Sequence, residues 1–235
     1  MSDQETSTIK IHTTLVEKIN FACHQSAFAV LRELQIENLD EEQDLSDLRV
    51  ALEASPGFVK SKTWMVDRLA AGGLLAMKDR DLELDGGFLL GLTESMRGTV
   101  TIRVTQAEQG LAEVVIPVEL LACNEWGGAT YIPELLAAFC TPNDPAVDRL
   151  LGQASQILRK AGKSGSINGY DSGSREQVWL MASAIYSAIV KMQVGYALPP
   201  ASFESNGQKI RLPNQIESAK VATCLDTTLL FAAAL

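Results

Sequence analysis

Thr223-Cys224-Leu225-Asp226 predicts the first turn of a helix that runs to the end of the chain. Thr223 suits the N-cap position, and Asp226, three residues later, completes a capping box. Cys224 is then the first helical residue, where free N–H groups and the helix dipole favour a thiolate. The residues from there to Leu235 are mostly apolar. We therefore expect their covering layer to come from residues beyond Leu235, as in the first part of a longer protein.

Length and composition are those of a globular protein with one large domain or two smaller ones: 235 residues, of which 46% are hydrophobic. No apolar run is long enough to span a bilayer, and residues 1–8 are too polar and acidic for a secretory signal. The four cysteines are far apart and form no C-x-x-C pair. This pattern predicts reduced thiols in the cytoplasm, with no metal site and no cofactor.

Charge is distributed unevenly along the chain. Residues 1–123 hold 20 acidic and 11 basic residues, whereas residues 124–235 hold nine of each. The acidic half should repel phosphate backbones, so we expect no direct nucleic-acid binding. Gly162-Lys163-Ser164 suggests a phosphate-binding loop, but that motif requires a glycine where Ile157 stands and a strand before it. Nucleotide binding is therefore not expected either.

Alternating apolar residues in the first half predict strands. Asp47–Glu53 alternates cleanly, and Thr99–Val104 pairs naturally with Ala112–Val118 through a short polar loop that ends at Gly110. Pro117 indicates an edge strand or a strand end. Short strands at this spacing predict an antiparallel β-sandwich of immunoglobulin type as a first domain, residues 1–123. Two further strands are predicted at Ile9–Thr13 and Phe28–Ile36.

After a turn at Asn124–Gly128 the pattern becomes helical. A short apolar helix is predicted at Pro133–Cys140, and a longer one begins where Asp144 caps Pro145. A Gly/Ser-rich loop follows at 162–174, and then a third helix at 175–194, in which we expect Trp179 to belong to the core. The predicted fold class is therefore α+β, with a mainly helical second domain at 124–235 that is incomplete at its C-terminus.

Cys224 admits two interpretations: a buried small hydrophobic residue, or a nucleophile. A cysteine nucleophile needs a histidine within hydrogen-bond reach. The only histidines, His12 and His24, lie in the predicted β-sandwich. No catalytic dyad is visible within the chain.

Several motifs occur together in an order typical of one family: Asn124-Glu125-Trp126-Gly127-Gly128, Pro133–Phe139, Pro142–Val147, Pro199–Glu204, Gly207–Pro213 and Thr223–Asp226. They resemble the region that opens very large bacterial superfamily-one helicase-like proteins, several of which also carry a nuclease-like domain near the C-terminus. The resemblance covers nearly the whole chain and is strongest from residue 120 onward.

The end of that region is similar to transglutaminases, which are circularly arranged relatives of papain-type cysteine hydrolases. The resemblance implies that Cys224 occupies the nucleophile position. It also implies that the matching histidine, in a Gly-His-Ala stretch, would follow Leu235. Gln208 or Gln215 would be the candidate donor to an oxyanion, as a glutamine is in papain-like enzymes.

We therefore expect an accessory or interaction region of a large helicase-like protein in bacterial nucleic-acid processing or defence, without catalysis by this chain alone. Its expected partners are the downstream helicase-like domains of the same polypeptide, or another protein. The alternative is a cysteine hydrolase or acyl-transferase that uses Cys224 in the full-length protein, and a weaker one is an oligomerisation scaffold.

Overall fold

A computed structural model describes residues 8–235. The chain divides between Cys123 and Asn124 into two compact units. The sheets are mainly antiparallel and helices occur in both units, so the predicted α+β class is confirmed. Within the described residues, no helix is both long enough and apolar enough to cross a membrane.

The first unit is built mainly from strands, with two helices of one turn each. Its elements are β1 (Ile9–Leu15), β2 (Lys18–Ile19), α1 (Phe21–Gln25), β3 (Leu31–Asn38), β4 (Leu45–Ser55), β5 (Lys62–Leu69), β6 (Leu74–Ala76), α2 (Gly86–Leu90), β7 (Met96–Gln106) and β8 (Gln109–Leu120).

These strands form a three-stranded sheet in the order β1-β3-β6 and a five-stranded sheet in the order β2-β8-β7-β4-β5. Neighbours are antiparallel except for the short parallel pair β2–β8. Alternate residues of the central strands are buried, as a sheet with one covered face requires. Val50 of β4 lies opposite Val104 of β7, and Leu52 lies opposite Ile102; all four are fully buried.

Two details of the first unit differ from the prediction. β3 begins at Leu31, three residues later than expected, because Phe28 still belongs to the turn after α1, where its N–H donates to the carbonyl of Cys23 at 2.9 Å. The β7–β8 connection consists of Ala107 and Glu108, with φ values of 44° and 73°, and Gly110 already belongs to β8. A two-residue turn with two positive φ values matches the twist of a hairpin, and this geometry overrides the preference for glycine.

The second unit is mainly helical, with two small strand pairs. Its elements are β9 (Glu125–Trp126), a 3-10 helix (Pro133–Phe139), α3 (Pro145–Lys160), α4 (Arg175–Lys191), β10 (Gly195–Tyr196), α5 (Phe203–Asn206), β11 (Gln208–Lys209), α6 (Pro213–Ala219), β12 (Val221–Ala222) and α7 (Cys224–Ala234). β9 pairs antiparallel with β11, and β10 pairs parallel with β12.

α3 begins as predicted, because the side chain of Asp144 accepts a hydrogen bond of 2.8 Å from the N–H of Ala146 and Pro145 occupies the first helical position. α4 ends at Lys191, earlier than predicted, because the chain turns at Gln193 with a φ of 53°. The core of the unit is formed by buried residues of α3, α4, α6, β12 and α7: Val147, Leu150, Ala154, Leu158, Met181, Ala184, Ile185, Ala188, Ile216, Ala222, Leu230, Ala233 and Ala234.

The expectation that the apolar face of α7 needs cover from residues beyond Leu235 is wrong. Leu229, Leu230, Ala233 and Ala234 are buried, and α7 packs on α3, α4 and α6. The preceding helices supply this layer because their own apolar stripes, including that of α3, face α7.

Candidate functional site

The first turn of α7 carries the predicted capping box. The hydroxyl of Thr223 accepts a hydrogen bond of 3.2 Å from the N–H of Asp226, and the carboxylate of Asp226 accepts one of 2.8 Å from the N–H of Thr223. Cys224 lies between them as the first helical residue, and it is exposed. The sequence therefore predicts both the position of this thiol and the turn that holds it.

Asp226 has a second role that the sequence did not reveal. Its carboxylate is completely buried and also accepts hydrogen bonds from the backbone N–H of Arg211, at 2.9 Å, and from its guanidinium, at 3.2 Å. A buried carboxylate is stable only when its oxygens are satisfied in this way. Asp226 thus joins the segment before α6 to the first turn of α7.

Gln208 lies beside the same turn. Its side-chain N–H donates to the hydroxyl of Thr223 at 3.1 Å, and the residue is 3% exposed. Gln208 is the cross-strand partner of Trp126 in the β9–β11 pair. The side-chain oxygen of Gln208 and the indole N–H of Trp126 are both buried and have no hydrogen-bond partner within residues 8–235. Both unpaired atoms therefore lie on the β9–β11 pair, which Gln208 connects to the cap of α7.

The other candidate donor, Gln215, is engaged elsewhere. Its side-chain oxygen accepts a hydrogen bond of 2.9 Å from the N–H of Leu212 at the start of α6. Of the two glutamines that the resemblance left open, Gln208 is the one whose side chain contacts the cap of α7.

Neither histidine belongs to the unit that contains Cys224. In the first unit, His12 contacts the carboxylate of Glu37 at 2.7 Å, and His24 stacks against Phe21 with ring centroids 5.7 Å apart. The second unit contains no histidine at all. Within the described part of the second unit, Cys224 therefore has an exposed thiol, helix N–H groups and a nearby amide donor, but no imidazole to act as a base.

The remaining cysteines differ in their surroundings. Cys23 is buried, and desolvation raises the pKa of its thiol despite hydrogen bonds from the backbone. Cys123 and Cys140 are half-buried. Among residues 8–235, no three side chains of histidine, cysteine, aspartate or glutamate are grouped so that they could hold a metal ion.

A second candidate site lies on the outer face of α4. The prediction that Trp179 belongs to the core is wrong: it is 73% exposed, and Tyr186 and Val190 are exposed to 64% and 58%. The three residues lie seven and four positions apart and so share one side of the helix. We call Trp179, Ser183, Tyr186 and Val190 the α4 stripe.

The α4 stripe has helical spacing in the sequence, but the more strongly apolar pattern on the other side of α4 makes it hard to recognise. The buried side of α4 is formed by Met181, Ala184, Ile185 and Ala188, which also have helical spacing. From sequence alone, a helix that is apolar on two sides is predicted to be fully buried. Ser183 is polar and lies in the middle of the α4 stripe, so the stripe does not form a continuous apolar pattern in the sequence.

Several basic side chains of the acidic first unit are held by carboxylates. Arg103 binds both Glu53 and Glu113, and Arg68 binds Asp44. Lys60 and Lys62 make similar pairs with Glu83 and Asp79. These pairs reduce the number of cations that are available for phosphate groups.

Comparison of the chain with models of protein families, with curated proteins and with solved structures finds no match.

Proposed function

We propose that this chain is an accessory region through which a large bacterial helicase-like protein contacts other protein surfaces. The observation that carries this proposal is the α4 stripe, where two aromatic side chains and a valine are exposed on one helix face. Exposed aromatic residues that cluster on one face are typical of protein interfaces. The equal numbers of acidic and basic residues in the second unit also suit contact with protein more than with nucleic acid.

A finer fold assignment belongs to the same proposal. The strand orders β1-β3-β6 and β8-β7-β4-β5 favour an immunoglobulin-like sandwich, because they match the order of strands A, B and E and of strands G, F, C and C′ in that fold. The exposed cysteine at the start of α7, with Gln208 beside it, favours a transglutaminase-like second unit.

Site-specific photocrosslinking tests the proposed interaction. A photoreactive amino acid at position 186, within the α4 stripe, should form crosslinks to protein in the longer helicase-like polypeptide. The matched control is position 170, because Tyr170 is also a tyrosine of the second unit and is also 64% exposed, but lies outside α4. Equal and low crosslinking at both positions would contradict the proposal.

A second candidate function is a cysteine hydrolase or acyl-transferase with Cys224 as nucleophile. The contact of Gln208 with Thr223, the residue before Cys224, favours it, because an amide donor at the first turn of α7 is the kind of group that stabilises an oxyanion. This function requires a histidine from outside the second unit.

An acyl-donor assay on the longer polypeptide decides between the two candidates. If Cys224 is the nucleophile, Cys224→Ser should abolish turnover, and Gln208→Glu should lower kcat by about 100-fold, as loss of an oxyanion donor does. The control Gln215→Glu should leave kcat nearly unchanged, because the side chain of Gln215 is hydrogen-bonded at the start of α6 and keeps its acceptor oxygen there. If no turnover depends on Cys224, the enzyme candidate is excluded and only the interaction role remains.

A further inference from the structure

We infer that the α4 stripe binds a second copy of the same chain, so that two α4 helices pair in antiparallel orientation. This inference rests on the proposed interaction role of the stripe and names its partner. It depends on the spacing of the stripe, on the sizes of its side chains and on the charges at its two ends.

The α4 stripe has the spacing of a helix–helix seam. Its residues are separated by four, three and four positions, which is the alternation of a heptad repeat. The stripe extends over about 16 Å of the helix axis at 1.5 Å per residue. This seam lies on the side of α4 opposite the buried residues Met181 and Ile185, so that side chains of the unit's own core do not occupy it.

The sizes of the four side chains favour an antiparallel copy. With a two-fold axis at the level of residues 184 and 185, Trp179 lies opposite Val190 of the second copy, and Ser183 lies opposite Tyr186 of the second copy. Each layer then pairs a large side chain with a smaller one, which is how facing layers of two helices fill space. In a parallel pair the two-fold axis runs along the helices and places tryptophan against tryptophan and serine against serine, which leaves uneven layers.

Charges at the two ends of the helix fit the same orientation. Glu176, in the first turn, and Lys191, in the last, are both exposed. In the antiparallel pair, Glu176 of one copy and Lys191 of the second copy are offset along the helix axis by two residues, or about 3 Å. Arg175 lies near the same level and offsets part of the attraction, so these charges favour the orientation more than they add affinity. The absence of net charge on residues 124–235 removes general repulsion between two such units.

The exposed area of the stripe indicates a weak dimer. A fully accessible tryptophan or tyrosine contributes roughly 150–250 Å². With exposures of 73%, 64% and 58%, Trp179, Tyr186 and Val190 together offer on the order of 350 Å² per copy. This is about half of what one partner contributes to a standard interface, so we expect a weak and reversible dimer.

Sedimentation velocity of the full chain tests the inference over about 1 to 200 μM, the range in which a weak interface assembles. We expect a monomer–dimer equilibrium. Trp179→Val should raise its dissociation constant by about tenfold or more, because tryptophan is among the residues whose truncation weakens interfaces most. Tyr170→Ala, which removes an equally exposed tyrosine outside α4, should leave the constant unchanged.

A size swap tests the antiparallel register itself. Trp179→Val combined with Val190→Trp again places a tryptophan opposite a valine and should recover most of the lost affinity. Both residues are exposed, so the variants should fold, and circular dichroism verifies this.

The possible outcomes separate this inference from the proposed function. A monomer at every concentration, or a dimer that Trp179→Val does not weaken, overturns the second copy as partner. If crosslinks from position 186 nevertheless reach downstream domains of the longer polypeptide, the interaction role stands without self-association. If neither dimer nor crosslink is found, both fail.

Discussion

The carboxylate of Asp226 accepts hydrogen bonds from both the backbone N–H and the guanidinium of Arg211, at 2.9 and 3.2 Å. It also accepts the N–H of Thr223 at 2.8 Å. One buried acidic side chain thus holds the start of α7, and with it Cys224, against the segment that leads into α6. The position of the candidate nucleophile depends on this contact.

Asp226→Asn should therefore destabilise the second unit. The asparagine keeps the shape of the side chain but replaces one acceptor oxygen by a donor, which would face another N–H. We expect the free energy of unfolding to fall by about 1–3 kcal/mol, the usual effect of leaving a buried polar group unpaired. Urea unfolding of both proteins at pH 7 measures the difference, and equal midpoints would contradict the role of Asp226.

Glu217→Gln is the matched control, because the Arg149–Glu217 pair links α3 to α6 at the surface. An exposed pair of this kind contributes little to stability, because water screens it. The hydrogen bond from Arg149 lowers the pKa of Glu217 below its ordinary range. The stabilisation by the Arg149–Glu217 pair is thus fully present above the ordinary pKa of glutamate, and it is lost as the pH falls through the lowered pKa of Glu217. The difference between wild type and variant should accordingly disappear in strong acid.

The β7–β8 turn offers a prediction for the first unit. Ala107 and Glu108 both have positive φ values, which residues with a Cβ adopt at a cost. Ala107→Asn combined with Glu108→Gly supplies the Asn-Gly pair that such turns prefer and should raise stability by about 1 kcal/mol. Thermal unfolding followed by β-sheet circular dichroism measures the change.

Gly110→Ala is the control for that turn. Gly110 has no positive φ, and an added Cβ would meet no atom within 4 Å. We expect this variant to unfold close to the wild-type temperature. A destabilised Asn-Gly variant would show that the turn has a different geometry.

The cysteines should react with iodoacetamide in order of exposure. Cys224, the exposed cysteine at the start of α7, should be labelled first at neutral pH, and the half-buried Cys123 and Cys140 more slowly. Cys23 should be last, because it is buried and desolvation raises the pKa of its thiol. Mass spectrometry of each site over time gives the four rates. Fast labelling of Cys23 would contradict the packing of the first unit.

The chain should bind neither generic duplex DNA nor ATP. Its net charge of −9 is carried by the first unit, where Arg68 and Arg103 are already bound to carboxylates. Fluorescence anisotropy with a labelled duplex should therefore show no saturable binding at physiological salt. Tight DNA binding that weakens steeply with added salt would contradict this expectation. Equilibrium dialysis with labelled ATP tests the expectation that ATP does not bind.

Local signals in the sequence predicted much of the secondary structure. The alternation in Asp47–Glu53, the cap formed by Asp144 and the capping box around Cys224 are each decided within a few residues, so the sequence alone identifies them. The short helix α6 and the contact between Gln208 and Thr223 were not identified, because they depend on segments that come together only in the folded unit.

Predictions about burial were less successful, for a physical reason. Trp179 was expected in the core, since a large apolar residue in an apolar helix is usually buried. Periodicity within α4 indicates two apolar sides, and the positions of α3 and α7 decide which of them is covered. The same reason explains why α7 was expected to lack a covering layer.

Quenching of Trp179 fluorescence by acrylamide tests the interaction role most directly. The other two tryptophans, Trp64 and Trp126, are 9% and 6% exposed, so the difference between wild type and Trp179→Phe isolates the exposed one. We expect strong quenching of Trp179 in the dilute chain, and quenching several-fold weaker when the partner surface is present, either in concentrated samples or in the longer polypeptide. Equally strong quenching of Trp179 under all of these conditions would contradict the proposal that the α4 stripe is a protein-binding surface.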